Sequence, residues 1–511
     1  MKTTLRLTCA LLLAASALPG QQSGGPTASP PPATGPVVRA TGVPTITLPA
    51  RPPPTAEEIA QIKQHIANLA LIDTPDMGLS STYGGSAFAP VPQSAQVGAL
   101  IFGATSHKTP DDFLQLVKLG PKALPYLLAA LDDQTPTKLV LGAPIPGSNG
   151  FRMGGVYEAN EIVGNPANPA EEAALGPRPA KDPAHFDLGK GIDQHTVTVG
   201  DVCFVIIGQI TGRPSYHASR YQMTAITIIT SPTDDPALVK QVRAVWTAAD
   251  PAQHLLDSLL IDFFTTVEST SKTPIAMLGD VSAAMGYPDL AAMRLLYYFP
   301  SETSGLIMKR LAERPGDQRL LQAIAWSDQP DVRQYLLKLF RETTDPAVFL
   351  TCLPQVEAKD DDLVLRRIFA LLDSYEPLDG GGPYDDGAHL VFVAGRRFGA
   401  ASKPVYVHYL EKPTVNRVVA ICDAVSLHPE WTVELLAPYL EDQRMTKLWY
   451  GRQNDRIAFR LCDWVAQAIS KYRPDLPFVA EGTYDDLDRQ ITAMKELIAK
   501  GSLAAPVPAA K

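Results

Sequence analysis

The sequence contains nearly the same passage twice, far apart in the chain. Residues 123–139 read ALPYLLAALDDQTPTKL, and residues 432–448 read TVELLAPYLEDQRMTKL. In both, an apolar run with helical spacing ends in leucine, an acidic residue, aspartate and glutamine, and Thr-Lys-Leu follows after two further residues. A single helix-and-turn unit of this kind cannot bury its own apolar face, so such units stack on one another. We therefore expect a helical-repeat protein.

A second match follows each copy of the repeated passage. DVCFVIIGQI at residues 201–210 aligns with FRLCDWVAQAI at residues 459–469, and this alignment places Cys203 opposite Cys462. Valine, isoleucine and phenylalanine give 201–210 a strand propensity when the segment is read alone. Its counterpart is rich in alanine, leucine and tryptophan, and tertiary context overrides propensity, so we predict a helix over 201–210. Residues 221–230 have no such counterpart, and we expect a short strand or extended segment there.

Two segments interrupt the helical pattern. Residues 142–198 are rich in glycine, proline and asparagine, and the internal match places them between two helices of one repeat. The later copy has only Trp449 to Asn454 at that position, so we interpret 142–198 as a long irregular insertion. Residues 376–388, with three consecutive glycines followed by proline, form a smaller loop of the same kind. Long loops in compact domains are typically functional or disordered.

Most of the chain between residues 55 and 499 has the pattern of short helices. Thr55 and Glu58 form a capping box before the first apolar periodic run. Further predicted helical runs are 237–248, 252–268, 289–299, 303–313, 317–326, 331–341, 345–356, 361–373, 403–411, 414–427, 430–440, 454–471 and 484–499. The breaks between them carry proline, glycine and aspartate. Short helices joined by short turns are typical of an α-solenoid, so the predicted fold class is all-α.

One passage carries a resemblance to a known repeat family. Residues 119–128, Leu-Gly-Pro-Lys-Ala-Leu-Pro-Tyr-Leu-Leu, place two short helices on either side of a Gly-Pro break. With the aspartate-rich turn that follows, this passage resembles a HEAT repeat. The overall pattern is similar to that of secreted bacterial proteins built on HEAT-like repeats. The resemblance implies an α-solenoid of HEAT-like or armadillo-like helix pairs over residues 55–499, and it implies no activity.

Both ends of the chain differ from the helical body. Residues 1–20 read as a secretory signal peptide, with Lys2 and Arg6 before an apolar core and an Ala-Ser-Ala cleavage site. A retained membrane anchor is the alternative. Residues 21–54 contain ten prolines and little charge, which predicts a disordered spacer. Residues 500–511 are expected to be a flexible tail.

The charge balance limits the classes of partner. The chain carries 45 basic and 54 acidic side chains, a net charge of −9, and removal of Lys2 and Arg6 leaves 43 basic side chains and a net charge of −11. An acidic surface disfavours nucleic acid, and no segment after the signal is apolar for the length of a bilayer. We expect an exported, periplasmic or extracellular protein with no nucleic-acid partner and no transmembrane span. The sequence leaves its oligomeric state open.

The four cysteines outside the signal segment are widely spaced. They are Cys203, Cys352, Cys422 and Cys462. Each lies in an apolar helical context, which favours buried free thiols, although one bridge between adjacent repeats is an alternative. None has the paired spacing of a zinc site. We expect no metal and no cofactor.

One polar cluster follows the predicted helix over 201–210. Its members are Arg213, Tyr216, His217, Arg220 and Tyr221. Two guanidiniums, an imidazole and two phenols so close together form a candidate binding site for a carboxylate, sulfate or phosphate group. Alternatively, the two arginines pair with Asp201 or with carboxylates of the insertion, and fix the insertion to the solenoid.

Recognised catalytic motifs are missing from the sequence. Residues 269–272 have the Ser-x-x-Lys spacing of penicillin-binding enzymes, but no Lys-Thr-Gly follows and Pro274 disturbs the helix, so we interpret the match as chance. The sequence has no nucleophile elbow, phosphate loop or dinucleotide fingerprint. These absences favour a function without catalysis.

Three functions are compatible with these features. The first is an exported α-solenoid that binds or scaffolds a protein or peptide partner through its concave surface and the 142–198 insertion. The second is an enzyme of unknown class with a site between the insertion and residues 213–221, where His217 lies within hydrogen-bond reach of Glu158 or Glu161. The third is a structural envelope protein, for which the proline-rich spacer is the only support. The repeat pattern favours the first.

Overall fold

The chain is predominantly helical, with a few short strands between the helices. The computed structural model describes residues 37–73, 88–91, 109–141, 156–158, 164–175, 190–213, 215–216, 219–222, 226–268, 279–375, 385–450 and 457–501. The expected signal peptide and most of the expected C-terminal tail lie outside these residues. The helix-rich structure confirms the all-α class and is compatible with a helical-repeat protein.

The described helices span the chain from residue 56 to residue 499. They are α1 (Ala56–Asn68), α2 (Asp111–Leu119), α3 (Leu124–Ala129), α4 (Pro169–Leu175), α5 (Val199–Thr211), α6 (Pro236–Trp246), α7 (Pro251–Phe263), α8 (Gly279–Tyr298), α9 (Pro300–Glu313), α10 (Gln318–Ile324), α11 (Pro330–Glu342), α12 (Pro346–Cys352), α13 (Asp361–Ser374), α14 (Asp386–Phe398), α15 (Lys403–Leu410), α16 (Val415–Ala424), α17 (Thr432–Leu436), α18 (Leu461–Tyr472) and α19 (Tyr484–Ala499).

The described strands form small sheets. They are β1 (Val37–Ala40), β2 (Pro136–Leu141), β3 (Val156–Glu158), β4 (Lys190–Ile192), β5 (His195–Thr198), β6 (Ser219–Gln222), β7 (Ile226–Ile229), β8 (Thr265–Glu268), β9 (Met445–Tyr450) and β10 (Ile457–Arg460). Antiparallel pairs join β1 to β8, β2 to β5 and β9 to β10. A four-stranded sheet has the order β4-β3-β7-β6, in which β3 and β7 are parallel.

Several local predictions are confirmed. Thr55 and Glu58 form the predicted capping box at the start of α1. The predicted helix over 201–210 is α5, and it is buried on all sides. The extended segment predicted over 221–230 corresponds to the paired strands β6 and β7. Free, buried thiols are confirmed for the four cysteines outside the signal segment.

Other local predictions are wrong. The helical run predicted over 252–268 ends at Phe263, and its last residues form β8. The loop predicted over 376–388 ends earlier, because Asp385 caps α14 by accepting a hydrogen bond from the backbone N–H of Ala388. The rest of that loop, residues 376–384, lies outside the described residues.

The proline-rich spacer predicted to be disordered over 21–54 is ordered from residue 37 onward. Strand β1 pairs with β8, and the Leu48 side chain is buried. The Gln253 side chain on α7 accepts a hydrogen bond from the Leu48 backbone N–H at 2.9 Å and donates one to the Ile46 carbonyl at 2.8 Å. Prolines prevent this segment from forming a helix, but they leave an extended backbone free to pair with a strand edge.

The doubled passage is a doubled structural unit of helix, strand, strand and helix. In the first copy, α3 leads to β2, which pairs with β5 before α5; in the second, α17 leads to β9, which pairs with β10 before α18. Thr137 Oγ1 donates to the Val197 carbonyl at 2.8 Å, and Thr446 Oγ1 donates to the Phe459 carbonyl at the same distance. The two copies therefore close their hairpins in the same way.

The hydrogen bonds correct the register of the second half of the repeat. The backbone N–H of Gly200 donates to the Asp133 carbonyl, and that of Cys462 donates to the Asp442 carbonyl, both at 2.9 Å. Gly200, rather than Cys203, is thus the counterpart of Cys462. In this register β5 corresponds to β10, so the insertion ends at residue 194 instead of residue 198.

The repeated unit extends further than the sequence match. Asp132 in the first copy pairs with Arg243 on α6 at 2.8 Å. Glu441, its counterpart in the second copy, pairs with Lys495 on α19. Each unit is therefore followed by a helix that is tied back to the turn between the unit's first helix and first strand.

The second half of the chain has a regular pattern of contacts between helices. Alternate helices from α8 to α18 touch one another in order, so that α8 contacts α10, α10 contacts α12, α12 contacts α14, α14 contacts α16 and α16 contacts α18. The helices between them also contact each other in part, α9 with α11 and α13 with α15. The core consists of the apolar faces between these two sets.

Arginines recur at the carboxyl ends of neighbouring helices. The pairs, donor first, are Arg243 to the Leu128 carbonyl, Arg294 to Gln209, Arg310 to Phe263, Arg367 to Thr343 and Arg417 to Tyr375. The last carbonyls of a helix lack partners within the helix and carry partial negative charge, so a guanidinium from an adjacent helix both satisfies and attracts them.

The tight contact at Gly200 gives a test of the repeat geometry. A Cβ on Gly200 would lie 2.5 Å from the Leu131 carbonyl oxygen, whereas a Cβ on Gly305 of α9 meets nothing within 4 Å. We expect Gly200→Ala to lower the free energy of unfolding by about 1–3 kcal/mol through overpacking. The matched variant Gly305→Ala is expected to raise it by about 0.5–1 kcal/mol. Urea denaturation measures both, and equal effects of the two variants would contradict this geometry.

Candidate functional site

The five residues of the predicted binding cluster do not share one described surface. Arg213 and Tyr216 lie in the interior, 1% and 2% exposed. Arg220 and Tyr221 belong to strand β6, for which the backbone alone is described, and His217 lies outside the described residues. Ligand binding by the five together stays a prediction, while the surroundings of Arg213 and Tyr216 are fully defined.

Arg213 is held between two carboxylates from different parts of the chain. Helix α5 ends at Gly212 in the left-handed conformation (φ 72°), and this turn directs the next residue inward. Its Nε donates to Glu171 Oε2 at 2.9 Å, and Nη1 donates to Asp262 Oδ2 at 2.5 Å. Glu171 lies on α4 within the insertion and Asp262 lies on α7. The pairing expected between Arg213 and a carboxylate of the insertion is therefore confirmed.

Amides and hydroxyls complete the shell around this ion network. Asn165 Nδ2 donates to Asp262 Oδ1 at 2.7 Å, and Asn168 Nδ2 donates to Glu171 Oε1 at 3.0 Å. Ser258 Oγ accepts from Asn168 Nδ2 at 2.9 Å. The Arg213 guanidinium also lies against the rings of two aromatic residues. These are Trp246 and Tyr287, each 5.3 Å from the guanidinium carbon to the ring centroid. Charges that have lost water are thus compensated by hydrogen bonds on every side.

Tyr216 serves the packing of the same region. Its ring stacks on Phe204 of α5 with centroids 4.7 Å apart, and its hydroxyl accepts a hydrogen bond from Trp246 Nε1 at 3.1 Å. Burial raises the pKa of the Tyr216 phenol, so the hydroxyl stays protonated. The residue acts as a neutral spacer between α5 and α6.

The network contains a second cation nearby. Burial raises the pKa of the Asp262 carboxyl, while Arg213 opposes this rise and Glu171 adds to it. Arg294 on α8 is also fully buried, and burial lowers its pKa to about 10. Asp262 attracts the Arg294 guanidinium and Arg213 repels it, so these two neighbours do not offset the cost of burying the Arg294 charge.

A second polar cluster lies at the base of the insertion. Asp201 is fully buried at the start of α5 and accepts from the Thr198 backbone N–H at 2.9 Å and from Ser231 Oγ at 2.6 Å. His195 Nε2 lies 2.9 Å from Asp201 Oδ2, and His195 Nδ1 lies 3.6 Å from Asp234. The serine hydroxyl and the histidine each bind the aspartate, which also caps the helix, whereas a nucleophilic triad places the histidine between the serine and the aspartate.

In the second copy of the repeat, an arginine pairs with the buried aspartate at the start of the second helix. The backbone N–H of Arg460 donates to Asp463 Oδ2 at 3.0 Å, and the Arg460 guanidinium binds both Asp463 and Asp488. Asp463 is the counterpart of Asp201, and in each copy a cation joins it to a second carboxylate. The sequence match missed this equivalence because its register was three residues out.

Open clefts of the described surface include one beside Lys63 and Tyr126 and one beside Arg333 and Arg341, and neither of these is lined by residues of the two clusters. Within the described residues, no group of three histidine, cysteine, aspartate or glutamate side chains is placed to hold a metal ion. No described helix has both the length and the apolar character needed to cross a membrane.

Comparison of the chain with protein-family models, with curated proteins and with solved structures finds no match. The expected enzyme site also has no described geometry, because His217 and Glu161 lie outside the described residues. Residues 269–272, whose motif match we interpret as chance, lie outside them as well. Glu158 is half-buried on β3. The enzyme hypothesis therefore stays a prediction.

The His195 pair makes stability depend on pH. Burial opposes the imidazolium, but the hydrogen bond to Asp201 and the charges of Asp201, Asp234 and Glu158 together raise the pKa of His195 above 6.5. A raised pKa in the folded state contributes stability that is complete below the unfolded value and is lost as pH rises through the folded value. We expect the free energy of unfolding to fall over that window, as measured by urea denaturation at several pH values. His195→Gln should remove this fall, and an unchanged slope in the variant would contradict the assignment.

Proposed function

We propose that this chain is an exported, HEAT-like helical-repeat protein that binds or scaffolds a protein or peptide partner. The observation that carries the proposal is the ordered row of alternate helices from α8 to α18, each in contact with the next member of the row. Stacking of this kind is expected of an α-solenoid, and the extended surface of a solenoid is suited to holding another chain.

Contacts at the helix starts support the same arrangement. Gln318 at the start of α10 donates to Asp345, the N-cap of α12, at 3.3 Å. The charge of Asp345 in turn helps to raise the pKa of Asp386 at the start of α14, after burial as the main cause. The hydrogen bond brings the starts of α10 and α12 together, and α12 also contacts α14, as expected if the three helices are successive members of a solenoid. Aspartates at the starts of these helices are consistent with the chain's net charge of −9.

The insertion is the best candidate for the contact surface. It interrupts one of two otherwise equivalent units, and Glu171 joins it to the helical body through the buried Arg213. Strand β3 of the insertion pairs with β4, also of the insertion, and with β7 outside it, so the four-stranded sheet spans both parts. A surface held in this way loses little conformational freedom when it binds. Export and a periplasmic or extracellular location are proposed from the N-terminal sequence.

The short connection between β9 and β10 in the second copy can replace the insertion and so test its role in binding. Residues 142–194 are replaced by residues 451–456, which connect β9 to β10 in the other copy. The exchange removes Glu171 but leaves Arg213 paired with Asp262, so one buried cation still faces one buried carboxylate. We expect this chimera to keep its helical content and to lose the partners that the unaltered chain captures from a periplasmic extract.

The matched control lengthens the 451–456 connection with glycine and serine and leaves the insertion intact. Circular dichroism and mass spectrometry of the captured proteins are the two measurements. Recovery of the same proteins by the folded chimera, in undiminished amount, would contradict a binding role for the insertion. Loss of the same proteins by the control would also contradict it.

A further inference from the structure

A short segment of the chain occupies an aromatic pocket. Residues 88–91 are Phe88, Ala89, Pro90 and Val91, and the first and last of them are buried. The Phe88 ring meets Tyr297 edge-on at 5.2 Å and Tyr298 at 5.7 Å between centroids. Edge-to-face contacts of this kind add specificity to the burial of an aromatic ring.

One backbone hydrogen bond and one cation complete the contact. The Ala89 backbone N–H donates to Gln209 Oε1 on α5 at 2.9 Å. The guanidinium carbon of Arg294 lies 4.7 Å from the Phe88 ring centroid, within the range of a cation–π interaction. Within the segment, the Val91 backbone N–H donates to the Phe88 carbonyl at 2.9 Å, so residues 88–91 form a turn. A buried aromatic anchor combined with main-chain hydrogen bonding is a common way for a folded surface to hold a peptide.

The walls of the pocket are fixed without help from residues 88–91. Arg294 Nε donates to the Gln209 carbonyl at 2.6 Å and Nη1 donates to the Leu290 carbonyl at 2.9 Å. The Tyr298 hydroxyl donates to the Val117 carbonyl at 2.6 Å. Tyr297 packs against Trp326 with centroids 5.9 Å apart. The pocket should therefore persist when Phe88 is removed.

The floor of the pocket has one unmet requirement. Arg294 is fully buried, and its Nη2 has no hydrogen-bond acceptor among the residues that the structure describes. Burial of a guanidinium donor without an acceptor is unfavourable. Residues 88–91 supply a ring over this cation but no anion, so a ligand with a nearby carboxylate would satisfy the donor that the chain's own segment leaves unpaired.

We propose that this pocket, formed by Gln209, Arg294, Tyr297 and Tyr298, is a second recognition site for a peptide turn in which an aromatic side chain is flanked by a carboxylate. Residues 88–91 occupy the site in cis and compete with such a peptide. The inference rests on the proposed function of peptide or protein binding, and it names the partner chemistry of a site separate from the insertion.

Fluorescence anisotropy of labelled synthetic peptides tests the site on the full chain. The parent peptide copies residues 85–93; two others carry aspartate in place of the alanine before or after the phenylalanine, and one carries alanine in place of the phenylalanine. Phe88→Ala is expected to bind the parent peptide at least about tenfold more tightly than the unaltered chain, because a tethered segment competes at an effective concentration near the millimolar range.

The aspartate peptides distinguish recognition of a carboxylate by Arg294 from burial of the aromatic ring alone. One of them should bind Phe88→Ala about tenfold more tightly than the parent, the gain expected from one ionic hydrogen bond to a buried donor. That gain should vanish when Arg294→Met is added to Phe88→Ala. The peptide without phenylalanine should not bind. Absence of binding by a folded Phe88→Ala chain, or a gain that survives Arg294→Met, would overturn the proposal.

Two controls keep the outcomes distinct. Phe88→Leu retains most of the apolar volume, so failure of both Phe88 variants to fold would identify the segment as ordinary core and refute the proposal. The chimera that lacks the insertion retains Gln209, Arg294 and both tyrosines. Peptide binding by the chimera that carries Phe88→Ala would therefore support this site even if the insertion proved to bind nothing.

Discussion

The buried Arg213 guanidinium is the interaction on which the placement of the insertion depends. It joins Glu171 of the insertion to Asp262 of α7, directly after the end of α5. A guanidinium in this position cannot be left without acidic partners, because removal of one partner of a buried pair typically costs about 3–5 kcal/mol. The asparagines, serine and aromatic rings around it follow from the same requirement. The insertion is therefore a fixed part of the fold at this point, even though most of its length departs from the helical pattern.

The two copies of the doubled unit pair the same buried aspartate with two different side chains. Each copy buries an aspartate at the start of its second helix, where the aspartate accepts the first free backbone N–H. The negative charge then requires a cation. His195 supplies it in the first copy when it is protonated, and Arg460 supplies it in the second. Since arginine stays charged at every ordinary pH and histidine does not, the copy that carries the insertion is also the copy whose closure responds to pH.

Much of the helical body was predictable, since apolar spacing, N-capping aspartates and prolines at helix starts are local signals. The helix over 201–210 was recovered only because a second copy of the unit exists in the chain. Helix α14 was missed since its glycine-rich approach resembled the loop before it. The docking of residues 37–54 depends on partners more than 200 positions away, such as the Leu48–Gln253 hydrogen bond, and no local pattern encodes it.

The candidate site was also predictable only in part, because local signals do not show which residues meet in space. A polar cluster after α5 is visible in the sequence, and the choice between ligand binding and internal pairing depends on where Glu171 and Asp262 lie in space. The sequence offered carboxylates in the insertion as partners for Arg213, but gave no means to select Glu171 or to find Asp262. Likewise, Phe88 and Arg294 are ordinary residues in the sequence, and their contact appears only when α5 and α8 pack together.

The link between Arg213 and Glu171 is tested most directly by a double-mutant cycle on the free energy of unfolding. Arg213→Met, Glu171→Met and the double variant are compared with the unaltered chain by urea denaturation. The account predicts a coupling energy of about 2–3 kcal/mol, in the upper range for residues that share a buried network. A coupling energy within error of zero would contradict it, because the insertion would then be held to the helical body by other contacts.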